Sequence, residues 1–263
     1  MTSMLFYENL VALNREQHRD LKLDRTRADA TFAAATHYVP LAGTEFEYAA
    51  RNHPILFAGA GDDSGPIALF SLTNGYNPYV DAAGQWRAGT YVPAFVRRYP
   101  LILAHGEGDQ YTVCIDQAYP GLNEDTGDPL FDDDGKDSPL LRDSVMFLDR
   151  FRADMQRTAE FRARLDELEL LVPHDLQLAH PDGQYYTLKD FRFVDPERLD
   201  RLPDAEIVRL QRDGYLGWIH AHRISLANLA HLEAAPGGSE SGAESVEAEN
   251  TADAQEAEPE TSG

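Results

Sequence analysis

The sequence predicts an α+β fold in which an antiparallel, strand-rich N-terminal half packs with a mostly helical C-terminal half. Three observations carry this expectation. Short apolar runs bounded by Gly, Pro and Asp clusters recur between His37 and Gln117, the pattern of hairpins. Apolar residues at helical spacing dominate from Ser138 onward. No strand–helix–strand rhythm of a parallel sheet runs through the chain.

Residues 1–36 start loosely and read as a wrapping arm. His37–Leu41 is a short strand, and Thr44 is placed to cap a helix over Glu45–Arg51. Pro54–Ala58 and Pro66–Leu72 are apolar runs around a Gly59–Gly65 turn, read as a hairpin buried on both faces. Asn77–Asp81 and Gln85–Tyr91 flank Ala82-Ala83-Gly84, a second hairpin-like turn. Pro93 opens a short helix over Ala94–Tyr99, because its missing N–H costs nothing at a first helical position. Leu101–His105 and Tyr111–Gln117 make a third hairpin. Ser138-Pro139 starts a helix carrying Leu141, Val145, Leu148 and Met155, and Phe161, Leu165 and Leu168 form a second stripe ended by Pro173. Tyr185–Val194 reads as a strand and Asp195-Pro196 as a helix start. Asp204 caps a helix that stops at Gly214, Tyr215–Ala221 reads as a strand, and Leu226, Leu229 and Leu232 form a closing helix.

The 263 residues are 43% hydrophobic and carry 23 Lys+Arg against 45 Asp+Glu, a formal charge of −22. That excess works against nucleic acid and anionic membrane, since phosphate binding needs cationic side chains to release counterions. One cysteine, Cys114, forbids an intramolecular disulfide. Residues 236–263 hold eight acids, no Lys or Arg, and a single large aliphatic, Val246. This segment is expected to be a disordered acidic tail behind one domain spanning residues 1–235, which keeps a charge of −14 once the eight are removed. Surface carboxylates in such number favour solubility. Charged residues throughout Met1–Leu23 leave no signal-peptide stretch, and no run approaches the ~20 apolar residues of a membrane span. A cytoplasmic location without membrane insertion is therefore expected.

Several site signatures fail on inspection. Gly59–Gly65 lacks the Lys-Ser/Thr of a phosphate loop and places Asp62 and Asp63 where phosphate would sit. Asp132-Asp133-Asp134-Gly135 in an EF-hand register puts Leu130 and Leu141 at the essential oxygen-ligand positions, so a solvated acidic loop is the better reading. No Gly-x-Ser-x-Gly occurs, and Cys114 lies mid-strand as a buried thiol. His220 and His222, two apart on an expected strand, would share a face and could hold iron or zinc with a further ligand, which makes them weak metal candidates. No catalytic set and no cofactor motif stands out.

Asn77–Pro100 concentrates aromatics, prolines and arginines within an acidic chain, a composition shared by recognition surfaces and by tight structural cores. Its binding candidates are Asn77, Asp81, Trp86, Tyr91, Arg97, Arg98 and Tyr99. Adjacent residues of a helix point about 100° apart, so Arg97 and Arg98 are expected in different environments. One would anchor to a carboxylate such as Asp81, and the exposed one would grip an anionic group such as a peptide carboxylate.

The run Asn77-x-x-Val80-Asp81, Gly84-x-Trp86, Tyr91-x-Pro93-Ala94 and Arg97-Arg98-Tyr99-Pro100 resembles the bacterial SapC family. Thr36–Leu41, His53–Phe57, Leu130–Gly135 and His222–Leu226 extend the resemblance over nearly all of residues 1–233. Leu101 departs from the Phe often found there. The resemblance implies an accessory role in envelope or nutrient-uptake systems, because related genes neighbour those for outer-membrane receptors and tryptophan halogenase-like proteins. It implies no catalytic residues. Two expectations follow: a non-enzymatic cytoplasmic binding or accessory protein with an unidentified protein, peptide or small-molecule partner, or an enzyme acting on a peptide or small molecule through a metal at His220 and His222.

Overall fold

The computed structural model describes residues 5–24, 29–59, 64–105, 110–179, 185–235 and 245–246. The centre of the Gly59–Gly65 turn lies outside these residues, as does the acidic tail apart from Ser245 and Val246.

The N-terminal arm contributes strands rather than only wrapping. β1 (Leu10–Ala12) and β2 (Lys22–Leu23) both pair with strands formed much later in the chain. β3 (Tyr38–Pro40) follows, then a 3-10 turn at Gly43–Glu45 and the short helix α1 (Phe46–Ala49). The helix expected from Thr44 is thus shorter, and Thr44 lies inside the turn. The turn starts at Ala42, whose N–H donates to the Glu45 carboxylate at 3.1 Å. β4 (Ile55–Ala58) and β5 (Gly65–Leu69) form the expected buried hairpin. Between Asn77 and Tyr91 the turn is present, but its flanks share only one bridge, Val80 to Trp86, instead of a strand pair. Pro93 caps α2 (Ala94–Arg97) from just outside it. β6 (Leu101–His105) and β7 (Tyr111–Asp116) make the third hairpin, and β8 (Leu122–Asn123) and β9 (Asp128–Pro129) flank β2.

From Ser138 the chain is mostly helical. The Ser138 hydroxyl accepts the Leu141 N–H, Pro139 takes the first position, and α3 (Pro139–Glu167) runs unbroken for 29 residues, about 43 Å. The two expected stripes therefore belong to one helix. Tyr185–Val194 is two strands: after β10 (Leu171–Pro173) and β11 (Leu176–Ala179) come β12 (Tyr185–Leu188) and β13 (Arg192–Val194) in different sheets. Asp190 separates them at φ 62. Helices α4 (Pro196–Asp200) and α5 (Asp204–Arg212) follow; Asp204 is the first helical residue, and Pro203 holds the cap position. Gly214 turns the chain at φ 79 into α6 (Tyr215–Ser225), where a strand was expected. Its buried residues are Tyr215, Trp218, Ile219, Ala221, His222 and Ser225, spaced for one helical face. The closing Leu226–His231 segment is a 3-10 helix, and β14 (Ser245–Val246) pairs parallel with β12.

Among the described residues the strands form four sheets: β10-β13-β4-β5-β3, β1-β7-β6, β8-β2-β9 and β11-β12-β14. Helix α3 joins two of them. Its first half buries Leu140, Leu141 and Leu148 with Leu101 and Ile115 of the β1-β7-β6 sheet. Its second half buries Phe151, Phe161 and Leu165 with Phe46, Phe57, Phe70 and Trp218 in the main core. Gly43 is required where these layers meet, because a Cβ there would lie 2.3 Å from the Trp218 ring.

Candidate functional site

Two residues of the expected recognition segment end in opposite environments, as their spacing on a helix requires. Arg97, the last residue of α2, is exposed, and Arg98 is buried. The Arg97 Nε donates to the Val92 carbonyl at 3.0 Å, and its guanidinium lies 3.9 Å from Glu45 and 5.1 Å above the Phe147 ring. Arg98 lies 3.8 Å over the Phe95 ring, 5.5 Å over Phe151 and 5.9 Å over Tyr7. Cation–π contact of this kind gains strength where water is excluded. Burial lowers the Arg98 pKa from its ordinary value, opposed by a hydrogen bond to the Tyr7 hydroxyl. Burial likewise pushes Tyr7 up to about 12, with Arg98 opposing. The Asp81 anchor expected for Arg98 is not formed. Asp81 instead caps its own turn, accepting the Ala83 and Gln85 N–H groups at 2.9 and 2.8 Å.

The other candidates divide between bracing and the site. Asn77 is buried and structural: its amide donates to the Ala33 carbonyl at 3.0 Å and accepts the Tyr79 N–H at 3.0 Å. Trp86 is half-buried, stacked on Tyr79 with centroids 5.8 Å apart, and its indole N–H donates to Thr90. Tyr99 donates to the buried Asp116 carboxylate at 3.0 Å and stacks on Phe32; burial, then the Asp116 charge, raises its pKa. Tyr91 donates to Glu45 at 2.8 Å and stacks on the exposed Tyr48 ring; burial and the Glu45 charge raise its pKa.

Glu45 escaped notice in the sequence. It is a buried carboxylate taking the Ala42 N–H, the Tyr91 hydroxyl and the Ala94 N–H at 3.1, 2.8 and 2.6 Å. Burial raises its pKa, and these three bonds oppose the rise. Its position three residues after the start of a turn, ahead of an apolar run, is the signal that marks a capping acid.

Arg98 lines two clefts, both of which also touch Leu148 of α3. One, of about 350 Å³, lies beside Arg97, Phe147 and Tyr119. The other, of about 450 Å³, lies between β6 and α3. Ile102, Leu148, Phe151 and Met155 supply apolar wall, and His105, Tyr111, Arg152 and Gln156 supply polar groups. Arg152 stands 4.5 Å over the Tyr111 ring and 3.9 Å from Asp149. A largely apolar hollow of a few hundred Å³ with a few convergent polar groups is the usual form of a small-ligand site.

The metal candidates are corrected by α6. On a helix, residues two apart point about 200° apart, so His220 and His222 do not share a face. His220 is exposed. His222 is fully buried, its Nε2 accepting the Val194 N–H at 3.2 Å and its Nδ1 lying 2.8 Å from the Ile55 carbonyl. Both nitrogens serve the fold. Among the described residues no group of three or more His, Cys, Asp or Glu is placed to hold a metal ion. Asp132 caps its own turn through the Asp134 and Lys136 N–H groups. Cys114 is buried, and burial raises its thiol pKa, which makes it a poor nucleophile.

The fold and clefts describe an α+β protein with no helix, among the described residues, long and apolar enough to cross a membrane. A family model named SapC matches residues 13–232, and the chain belongs to the SapC family. No curated protein and no solved structure matches it.

Proposed function

We propose that this chain is a non-enzymatic binding protein whose ligand presents an anionic group to the cleft between β6 and α3. The observation that carries the reading is the buried Arg98 at the meeting of two clefts, with Arg152 at the rim, in a chain of formal charge −22. A guanidinium held between aromatic rings is positioned in advance, so binding an anion there orders little. Desolvated, it makes stronger charge-assisted hydrogen bonds than a surface cation does. The apolar wall fits a ligand with a hydrophobic body beside its charge. Membership of the SapC family supports reading this binder as an accessory to envelope or nutrient-uptake systems, and a cytoplasmic location is part of the proposal.

Decanoate, a simple amphiphilic carboxylate, tests the reading. It is expected to raise the melting temperature, and decanol, with the same chain and no charge, is not. Arg152→Ala, at a residue whose side chain is 43% exposed, is expected to keep the fold and weaken decanoate at least tenfold. Equal responses to decanoate and decanol, or undiminished binding to the variant, would refute the assignment.

A further inference from the structure

The β6–α3 cleft runs along the edge of a sheet, and the register of that edge restricts the shape of ligand it takes. Among the described residues β6 has β7 on one side and no strand on the other. The Asp116 N–H donates to the Pro100 carbonyl at 3.0 Å, and Ile102 and Ala104 stand opposite Cys114 and Thr112. Hydrogen-bonded pairs alternate along an antiparallel ladder, so the even-numbered residues of β6 bond β7 and the odd-numbered ones face outward. Leu101 obeys this: its N–H donates to the Arg98 carbonyl at 2.9 Å and its carbonyl accepts the Tyr7 hydroxyl at 3.1 Å. The next outward residue is Leu103, half-buried in the cleft wall, and no described residue bonds its outward N–H or C=O.

We infer that the cleft receives the C-terminal end of a peptide, added antiparallel to the edge of β6, with its terminal carboxylate on Arg98 and its last apolar side chain against Leu148, Phe151 and Met155. This rests on the anion-binding reading above and names the ligand's class. Strand addition draws affinity from main-chain hydrogen bonds and specificity from pockets for alternate side chains, and this cleft offers an outward backbone beside an apolar wall. Arg98 precedes β6 in the chain and Leu101 is already closed by Arg98 and Tyr7, so a peptide whose carboxylate is held there runs against the strand direction and pairs first at Leu103. The edge from Leu103 to His105 is about 7 Å, room for about two peptide residues beside the strand. At its far end Arg152, over the Tyr111 ring, favours an acidic side chain on the peptide. The complementarity is that of a cationic, apolar groove in an acidic protein with an anionic, apolar chain end.

The test is selection on the immobilised full chain from a random hexapeptide library with free C-terminal carboxylates, run beside its C-amidated copy. The free-acid library is expected to yield a shared apolar last residue, and the amidated copy at least tenfold less retained peptide. With a selected peptide bound, the Leu103 amide is expected to exchange with solvent at least tenfold more slowly, whereas decanoate leaves it unchanged. Leu103→Pro removes the outward N–H without removing a bond to β7, and an edge strand is where proline is tolerated. If it folds, it is expected to lose selected peptides at least tenfold and keep decanoate; if it does not, the amide exchange decides. No preference for the free-acid library, an unprotected Leu103 amide, or full peptide affinity in a folded Leu103→Pro would overturn the inference. Decanoate binding that persists in those cases leaves the anion-binding reading standing, and its loss removes both.

Discussion

Lowering the pH should unlock this fold through its buried histidines before its carboxylates titrate; half-buried His37, which burial also holds down to about 4, adds to the two that lie deepest. His53 and His222 are both fully buried, and burial holds each down to about 4 from the ordinary 6.5. His53 contacts the Tyr91 carbonyl through Nε2 at 2.8 Å, and His222 spans Val194 and Ile55. Because the folded value lies below the unfolded one, the unfolded chain takes up its proton first as pH falls. Their contribution to stability is intact above about pH 6.5, declines from there to about pH 4, and is lost in full below that. Each ring then forfeits about 2 kcal/mol at pH 5 and about 3 kcal/mol at pH 4. Together they approach the whole stability of an ordinary domain, about 5–15 kcal/mol. Urea unfolding of the parent chain and of His222→Gln at about pH 7.5 and pH 5 measures this. Glutamine keeps a donor and an acceptor but does not titrate. The variant is expected to lose about 2 kcal/mol less than the parent over that interval. Equal losses in the two proteins would refute the argument that burial of His222 carries the acid sensitivity.

Three further outcomes follow from the packing. Leu148→Ala and Leu165→Ala should each cost about 2–5 kcal/mol in urea melts, since both side chains are buried in the two cores that α3 joins. Gly43→Ala should destabilise by more than about 2 kcal/mol, because the new methyl meets the Trp218 ring and not a flexible side-chain end. Glu45→Ala strips an acceptor from the Ala42 and Ala94 N–H groups and the Tyr91 hydroxyl, and should cost about 3–5 kcal/mol. Glu45→Gln retains one acceptor oxygen and should recover part of that loss.

What the residues announced and what they concealed have physical reasons. The β4–β5 and β6–β7 hairpins were legible because apolar runs and turn residues act locally. The start of α3 was legible because Ser138 and Pro139 each satisfy a helix-end requirement. Helix α6 was not: Tyr215, Trp218 and Ile219 favour strands, and only burial of Tyr215, Trp218, His222 and Ser225 on one face reveals the helical period. The same strand-like composition suggests the metal pair, since His220 and His222 share a face only on a strand. The split of Tyr185–Val194 depends on Asp190 adopting a left-handed backbone, for which no glycine gave warning. At the site, the contrast between Arg97 and Arg98 followed from helical geometry alone. Arg152, His105 and Tyr111 were hidden because α3 and β6 meet only through tertiary packing.

The central claim is that Arg98 and Arg152 receive an anion in the β6–α3 cleft. Its most direct measurement is the set of arginine Nε–H resonances during a decanoate titration of the intact chain. Saturable shifts are expected at Arg98 and Arg152, and none at Arg201, whose exposed side chain pairs with Glu197. Shifts of equal size at all three, or none at Arg98 and Arg152, would contradict it.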